Sequence, residues 1–364
     1  MFQWWQADSE GFPLEKRYAA GRGKEIAHRY QVVDYRDLSK PLTLTGRAHL
    51  FSALDQLSMV ERKAVAEIWD QVRNDRPRVH LLNDPRRVLT RFNLLRKLHA
   101  EGLNGFRVFR AADARLVDQF PVFVRSDRKH NGALTGIIHS ADALRKSIIA
   151  LRARGEDVDD LMIVEYVDAR DDDGLYRKYA AFRVGNRILT SHVLAHQHWM
   201  VKSEGSERTM VTARDEERFR AETTHNAWIR QVFELAGIDY GRLDFGIVKG
   251  VPQAWEINMQ PTLGRGPGGK TPRPQNEITE LLDVVRSRFH VELRAAFAEL
   301  DDESLPEPFP LEVHISSGVM NALVAQRNTA ARRTRVKLFF TRAYHSPALG
   351  LPLRWMYRQL LPRG

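Results

Sequence analysis

The chain has 364 residues, 43% apolar and 28% charged, so wholesale disorder is not expected, and a length beyond the roughly 250–300 residues at which single cores stop growing predicts two or three structural units. It contains no cysteine, which excludes disulfides, thiol catalysis, zinc–cysteine sites and iron–sulfur clusters. The net charge of +10 is concentrated in the tail, where nine Lys/Arg and no Asp/Glu follow Asn321, and this weakens any nucleic-acid reading based on pI alone.

No apolar run approaches the ~20 residues that span a bilayer. The opening Met1-Phe2-Gln3-Trp4-Trp5 lacks the basic flank and long apolar stretch of a signal peptide. A cytoplasmic protein is therefore expected.

In chain order, residues 31–35 form a candidate strand. Ser58-Met59-Val60-Glu61 reads as a capping box opening a helix, with Val65, Ile68, Trp69 and Val72 on one apolar face. Residues 78–82 read as a strand leading into the turn Asn83-Asp84-Pro85. A helix then buries Val88, Phe92, Leu95 and Leu98 and stops at Gly102. Residues 120–125 and the apolar run 161–167 read as strands, separated by a helix capped by Ser140 and ended by Gly155. Residues 177–184 and 187–194 flank Gly185-Asn186, a two-residue hairpin turn. A charged helix is expected over 215–236, stopping at Gly237. A second hairpin covers 242–258, followed by a Gly/Pro-rich loop, a helix near 276–300 and the basic tail.

The second hairpin carries the most informative residues. With its turn centred on Gly250, Asp244 and Glu256 fall directly opposite. Strand period two then places Arg242 and Asn258 on the same face. Like charges directly opposite destabilise a sheet. A cation would relieve that repulsion, and an all-oxygen set of two carboxylates and an amide suits Mg²⁺ with water and phosphate as further ligands. The same residues also fit a polar sheet face on which Arg242 offsets the acids, and spacing alone leaves both readings open.

This segment resembles the metal-binding hairpin of the ATP-grasp superfamily, with its Arg-x-Asp and Glu-x-Asn pattern. It is similar to the ribosomal-protein glutamate ligase, glutathione synthetase and D-alanine–D-alanine ligase groups, over roughly residues 80–265. The resemblance implies that Asp244, Glu256 and Asn258 hold Mg²⁺ bridging the phosphates of ATP, and that Arg242 faces the transferring phosphoryl group. It also implies that Arg91 and Arg125 occupy the two basic positions of the central lobe, where lysine is more usual. Arginine keeps the charge there but changes the hydrogen-bond geometry. Glu165, Tyr166 and Val167 match the segment whose backbone meets adenine. Arg177-Lys178-Tyr179 matches a basic strand facing the phosphates or the acyl acceptor, with Lys178 a candidate for both binding and catalysis. The loop from His130 to Gly136 stands where a flexible phosphate-covering loop is expected.

Other signals are weaker. His192, His196 and His198 share a strand face by parity, which permits zinc, but His192 is expected near the active-site cleft or beside Trp199. Gly264–Lys270 lacks the Walker spacing and reads either as a substrate-closing loop or as a surface loop. The tail residues Arg332, Arg333, Arg335, Lys337, Arg342, Arg354 and Arg358 are interleaved with aromatics. They fit packing on the body, guidance of an acidic substrate, or contact with RNA or an anionic membrane.

The expected class is α+β: an ATP-grasp fold whose two α+β lobes close on ATP. The expected divisions are a small α/β unit at 1–85, a central lobe at 86–167, a C-terminal lobe with the metal hairpin at 168–300, and a helical, basic extension at 301–364. The resemblance implies an ATP- and Mg²⁺-dependent ligase joining a small-molecule or peptide carboxylate to an amine or thiol through an acylphosphate. A kinase on the same fold and a non-catalytic basic scaffold are the alternatives; nucleic acid is a possible but not favoured partner.

Overall fold

The computed structural model describes residues 1–7, 14–129, 132–263, 276–304 and 308–329. The expected loop positions His130 and Asn131, the run Gly264–Lys270 and the basic tail from Arg332 onward lie outside these residues. The chain divides into two compact units, Met1–Val313 and His314–Gly364. The described part of the second unit is largely a helix over 317–329.

In the first unit the elements run β1 (Phe2–Gln6), α1 (Leu14–Ala19), β2 (Tyr30–Asp34), β3 (Leu42–Leu44), β4 (Ala48–Phe51), α2 (Met59–Asp75), β5 (His80–Leu82), α3 (Arg91–Ala100), β6 (Val108–Arg110), β7 (Val122–Ser126), α4 (Ala141–Ala153) and β8 (Leu161–Glu165). They continue through β9 (Tyr176–Val184), β10 (Arg187–His196), α5 (Met210–Ala221), α6 (Asn226–Ala236), β11 (Tyr240–Val248), β12 (Val251–Asn258), α7 (Glu277–Ala298) and β13 (Leu311–Val313). The class is α+β, as expected.

Three sheets carry the architecture. A parallel sheet is ordered β2-β1-β4-β5. An antiparallel sheet of three is ordered β6-β8-β7, and an antiparallel sheet of four β10-β9-β11-β12. A short antiparallel pair joins β13 to β3. One apolar core links the first sheet to the last: Trp4 meets Tyr240 edge-on at 5.5 Å and Phe297 of α7 at 4.8 Å between ring centroids. A second core, under α4, holds Val122, Val124, Leu144 and Ile163.

Local signals hold where capping chemistry is strong. Ser58 and Glu61 form the reciprocal capping box, and Ser140 caps α4 through the Ala143 N–H. The charged helix expected over 215–236 is instead two helices. Glu222 turns extended (φ −91°, ψ 148°) at the end of α5, and Thr223–His225 form the connection, since hydroxyl and β-branched side chains favour non-helical backbone. Val88 is buried but precedes α3, which starts only after the Thr90 cap. Strand β8 ends at Glu165, so Tyr166 and Val167 lie just beyond it.

His49 of β4 is wholly buried in the first sheet and accepts from Trp5 Nε1 at 3.5 Å. Burial, with nearby Arg76, lowers its pKa from 6.5 to about 3. The unfolded chain therefore takes up a proton first as pH falls. The imidazole's contribution is complete above pH 6.5 and is lost on the way down towards pH 3. By pH 5 the loss is roughly 2 kcal/mol. In His49→Leu, the stability difference between pH 8 and pH 5, measured by urea unfolding, should shrink by about that amount. An unchanged pH dependence would show that His49 is not held neutral.

Candidate active site

The β11–β12 hairpin reaches the expected register by an unexpected route. Val248 pairs with Val251 across a two-residue turn, Lys249-Gly250, with both φ angles positive (49° and 80°). This is the signature of a tight primed hairpin turn. That register would set Asp244 opposite Trp255 and turn Glu256 to the other face. A bulge between Asp244 and Phe245 corrects it: Phe245 pairs with Ala254, and Asp244 pairs with Glu256. Trp255 is the extra residue. Its ring lies against Gly246, where a Cβ would come within 2.7 Å of it. Arg242 then opposes Asn258.

Two buried asparagines fix this hairpin to its surroundings. Asn83, in the left-handed region at φ 67°, donates to the carbonyls of Phe51 and Tyr240 at 2.9 and 3.0 Å. Its own oxygen accepts from the N–H groups of Asp239 and Tyr240 at 2.7 and 2.9 Å. One amide thus ties the first sheet to the start of β11. Asn104 pairs in both directions with the Ala254 backbone, at 3.0 and 2.9 Å, on the outer edge of β12 beside the bulge.

On the face so created, four cations meet two carboxylates. Arg242 donates to Asp244 through Nε at 2.6 Å and Nη2 at 3.1 Å, and Lys178 Nζ reaches the same carboxylate at 3.1 Å. Arg125, on β7, holds Glu256 at 2.5 Å, and Arg91 reaches the same oxygen at 2.9 Å. Asp244 is 1% exposed. Burial opposes its ionisation, but Arg242 and Lys178 outweigh burial and hold its carboxyl below the usual range. Burial also lowers the Arg91 pKa, with Arg125 beside it adding to the effect. Among the described residues no three His, Cys, Asp or Glu side chains cluster as a metal site. A cation here would rest on Asp244, Glu256 and the Asn258 amide.

A cavity of about 510 Å³ opens beside this cluster. It is lined by Arg125, Glu165, Tyr166, Val167, Lys178, Asp244 and Glu256, so seven of the ten expected site residues face one space. Arg242 borders a neighbouring cavity instead. Arg91 stands behind the site, with further bonds to the carbonyls of Ser126 and Asp127, both at 2.7 Å. Asn258 does not line the cavity, and its side-chain oxygen accepts from Gln260 N–H at 2.9 Å.

Sequence reasoning missed the aromatic wall. Trp199 packs on Phe123 at 4.9 Å and edge-on to Tyr166 at 5.8 Å, and Trp255 meets Phe106 at 5.6 Å. Trp199 and Trp255 stand in loop or bulge contexts, where no periodicity marks a buried face. Glu165 is committed elsewhere: its carboxylate takes the Arg107 N–H at 2.7 Å and Arg107 Nε at 2.8 Å. Its own N–H and that of Tyr166 bond to the carbonyls of Arg107 and Pro121. The Val167 N–H has no partner among the described residues. Of the three histidines, His192 lies near Arg242 and borders the neighbouring cavity, while His198 stacks near Trp199 at 5.7 Å. His196 Nδ1 accepts from the His198 N–H at 2.8 Å.

The chain is similar to several solved structures. The D-alanine–D-alanine ligase of Bacillus anthracis complexed with ATP is 12% identical, with a TM-score of 0.40, over 81% of this chain and 98% of that one. The RimK domain protein ATP-grasp of Sphaerobacter thermophilus is 12% identical, with a TM-score of 0.42, over 79% and 99%. The D-alanine–D-alanine ligase of Coxiella burnetii is 10% identical, with a TM-score of 0.43, over 82% and 97%. No protein-family profile and no curated protein matches the chain. The chemistry of the site is read from this chain's own residues. No helix among the described residues is long and apolar enough to cross a membrane.

Removing the Asn104 clamp should loosen the strand that carries Glu256. Asn104→Leu keeps the branching at Cγ but leaves the buried Ala254 N–H and C=O unpaired, at about 1–3 kcal/mol each. Chemical unfolding should show a loss of roughly 2–4 kcal/mol, and amide exchange at Ala254 should accelerate. Unchanged exchange there would show that the clamp is dispensable.

Proposed function

We propose that the protein is an ATP- and Mg²⁺-dependent ligase that joins a carboxylic acid to an amine. The observation that carries this reading is the pair of opposed carboxylates, Asp244 and Glu256, ringed by four cations at the polar end of an aromatic-walled cavity. About 510 Å³ is within the range of small-molecule sites. The adenine edge falls to the segment after β8. With the Glu165 and Tyr166 N–H groups engaged, Val167 N–H is the donor left to meet a ring nitrogen.

The donor set fits Mg²⁺: hard oxygens, two of them charged, with room for phosphate ligands. Asp244, Glu256 and Asn258 would hold it, and when bound it would neutralise phosphate charge and polarise the transferring group. The protein's own part is positioning. Arg125 and Lys178 face the cavity from β7 and β9 and suit the phosphates. Arg242, on the carboxylate face, suits the transferring phosphoryl group. An oxygen of the acid attacks the γ-phosphorus, the bond to the bridging oxygen breaks, and ADP leaves. The amine then attacks the acyl carbon, phosphate departs with the bonding electrons, and the amine's proton goes to solvent. No protein nucleophile is needed, in keeping with a chain without cysteine.

Each acid is already paired with two cations, so nucleotide and metal would have to enter together. Arg125, Arg242 and Lys178 would turn to the phosphates, which would free Asp244 and Glu256 to hold the metal. Calorimetry should therefore find no binding of millimolar Mg²⁺ alone. The non-hydrolysable analogue AMPPNP should bind at least tenfold more tightly with Mg²⁺ than with EDTA. Equal affinity in both would count against the assignment of Asp244 and Glu256.

The reaction itself is tested by ADP release across a panel of carboxylic acids with and without amines. Release that requires both supports a ligase, whereas a stable phosphorylated product would make it a kinase. Glu256→Gln should lower turnover at least a hundredfold with its circular dichroism preserved. Wild-type turnover in that variant would remove Glu256 from the metal set.

A further inference from the structure

A second cavity, of about 410 Å³, adjoins the first and shares Lys178 with it. One end holds His192, with Arg242, Lys178 and Asp244 close enough to act on its charge. The other holds His290 of α7, within the field of Arg22 and Arg294. Arg286 of α7 also lines this cavity. Positions 286, 290 and 294 are successive i, i+4 neighbours on one stripe of α7.

The balance of charge in this cavity is positive. Five of the lining side chains are Arg or Lys, against Glu207 and Glu216. Glu216 is only 1% exposed, and Arg286 holds both its oxygens, at 2.7 and 2.9 Å. Burial keeps both histidines neutral, with pKa values lowered to about 3 and about 4, so neither adds charge at neutral pH. Phe182, Leu282 and Phe289 supply an apolar wall. Two groups at the far end lack partners among the described residues. His290 is 7% exposed and its Nδ1 makes no hydrogen bond. The Arg22 guanidinium has no acceptor, although the Arg22 carbonyl accepts from Arg294 at 3.0 Å. A buried ring nitrogen left unpaired is costly unless something binds there, and the exposed Arg22 guanidinium adds positive charge close to it.

We infer that this second cavity binds the acid to be activated, and that this acid carries a second anionic group. The reacting carboxylate lies at the end bordered by Lys178 and Arg242, next to the first cavity. The second anion lies at the far end, where Arg22 supplies charge and His290 a hydrogen bond. An apolar chain joins them along the Phe182–Phe289 wall. The inference rests on the ligase reading for the role of the near end, whereas the far end stands on its own unpaired groups.

The test is calorimetry on the full chain, with and without Mg²⁺ and AMPPNP. The probes are α,ω-dicarboxylates from succinate to pimelate, each paired with the monocarboxylate of equal carbon number. At least one diacid should bind ten times more tightly than its monoacid. Raising the salt from 0.05 to 0.5 M should reduce that advantage, since the contact is electrostatic. Arg22→Gln, at an exposed position, should remove most of the advantage. His290→Phe, which keeps the ring packing on Tyr18 and Phe289, should reduce it at least threefold. Neither change should alter AMPPNP affinity. If AMPPNP binds but no diacid outcompetes its monoacid, the second-anion inference is overturned and the ligase reading stands. If a diacid binds with the expected losses while AMPPNP does not, the anion site stands and the ligase reading falls.

Discussion

Two carboxylates facing each other across adjacent strands are the constraint around which this molecule is arranged. Asp244 and Glu256 would repel, and Asp244 is almost fully buried. Burying a charge without a partner is prohibitive. The structure answers with two cations on each acid, drawn from different parts of the chain. Arg242 comes from the same strand and Lys178 from the neighbouring one. Arg91 and Arg125 come from α3 and β7, outside the four-stranded sheet. The last two bonds therefore also bring the three-stranded sheet up to the hairpin and define one side of the cavity. Removing one partner from such a pair leaves the other charge buried and typically costs about 3–5 kcal/mol.

The opposition of the acids depends on a single extra residue. A tight turn at Lys249-Gly250 alone would have turned Glu256 away from Asp244, and the bulge at Trp255 restores it. Bulges raise local twist and leave backbone groups unpaired. Asn104 supplies both hydrogen bonds at the adjoining Ala254, and Trp255 fills the space over Gly246 that a side chain there would occupy. Asn83 performs the matching task for β11, with all four of its amide hydrogen bonds made. Register, edge protection and charge pairing thus share a few buried polar side chains.

This also explains what was legible from the sequence. Alternation on β11 and β12 places Arg242 with Asp244 and Glu256 with Asn258, because period two is fixed by strand geometry. The turn was misplaced by half a residue, and the bulge offsets that error, so the right pair emerged from the wrong hairpin. Capping signals at Ser58 and Ser140 were readable because they are local. Strand β1 was not, since Phe2–Gln6 is buried on both faces and offers no alternation. The asparagine clamps and the Arg107–Glu165 lock were also invisible. Each joins residues distant in sequence, and nothing local distinguishes Asn104 from a loop asparagine. The far end of the second cavity left one faint trace, the i, i+4 spacing of Arg286 and His290 on α7.

Arginine at positions 91 and 125, where the resemblance implies lysine, follows from the same constraint. Arg91 bonds at once to three backbone carbonyls, those of Ser126, Asp127 and Lys129, and to Glu256. A planar fork with five donors can span those acceptors, whereas a lysine ammonium on a flexible stem presents three donors from one point. In its present role Arg91 therefore braces the end of β7 against α3 as well as countering Glu256. Arg125 lines the cavity, and among the described residues its guanidinium makes no such backbone ties, its one ion pair being with Glu256. The two arginines look equivalent in the sequence, but their surroundings divide the work. One braces β7 against α3; the other faces the cavity, where the proposed function would have it meet a phosphate.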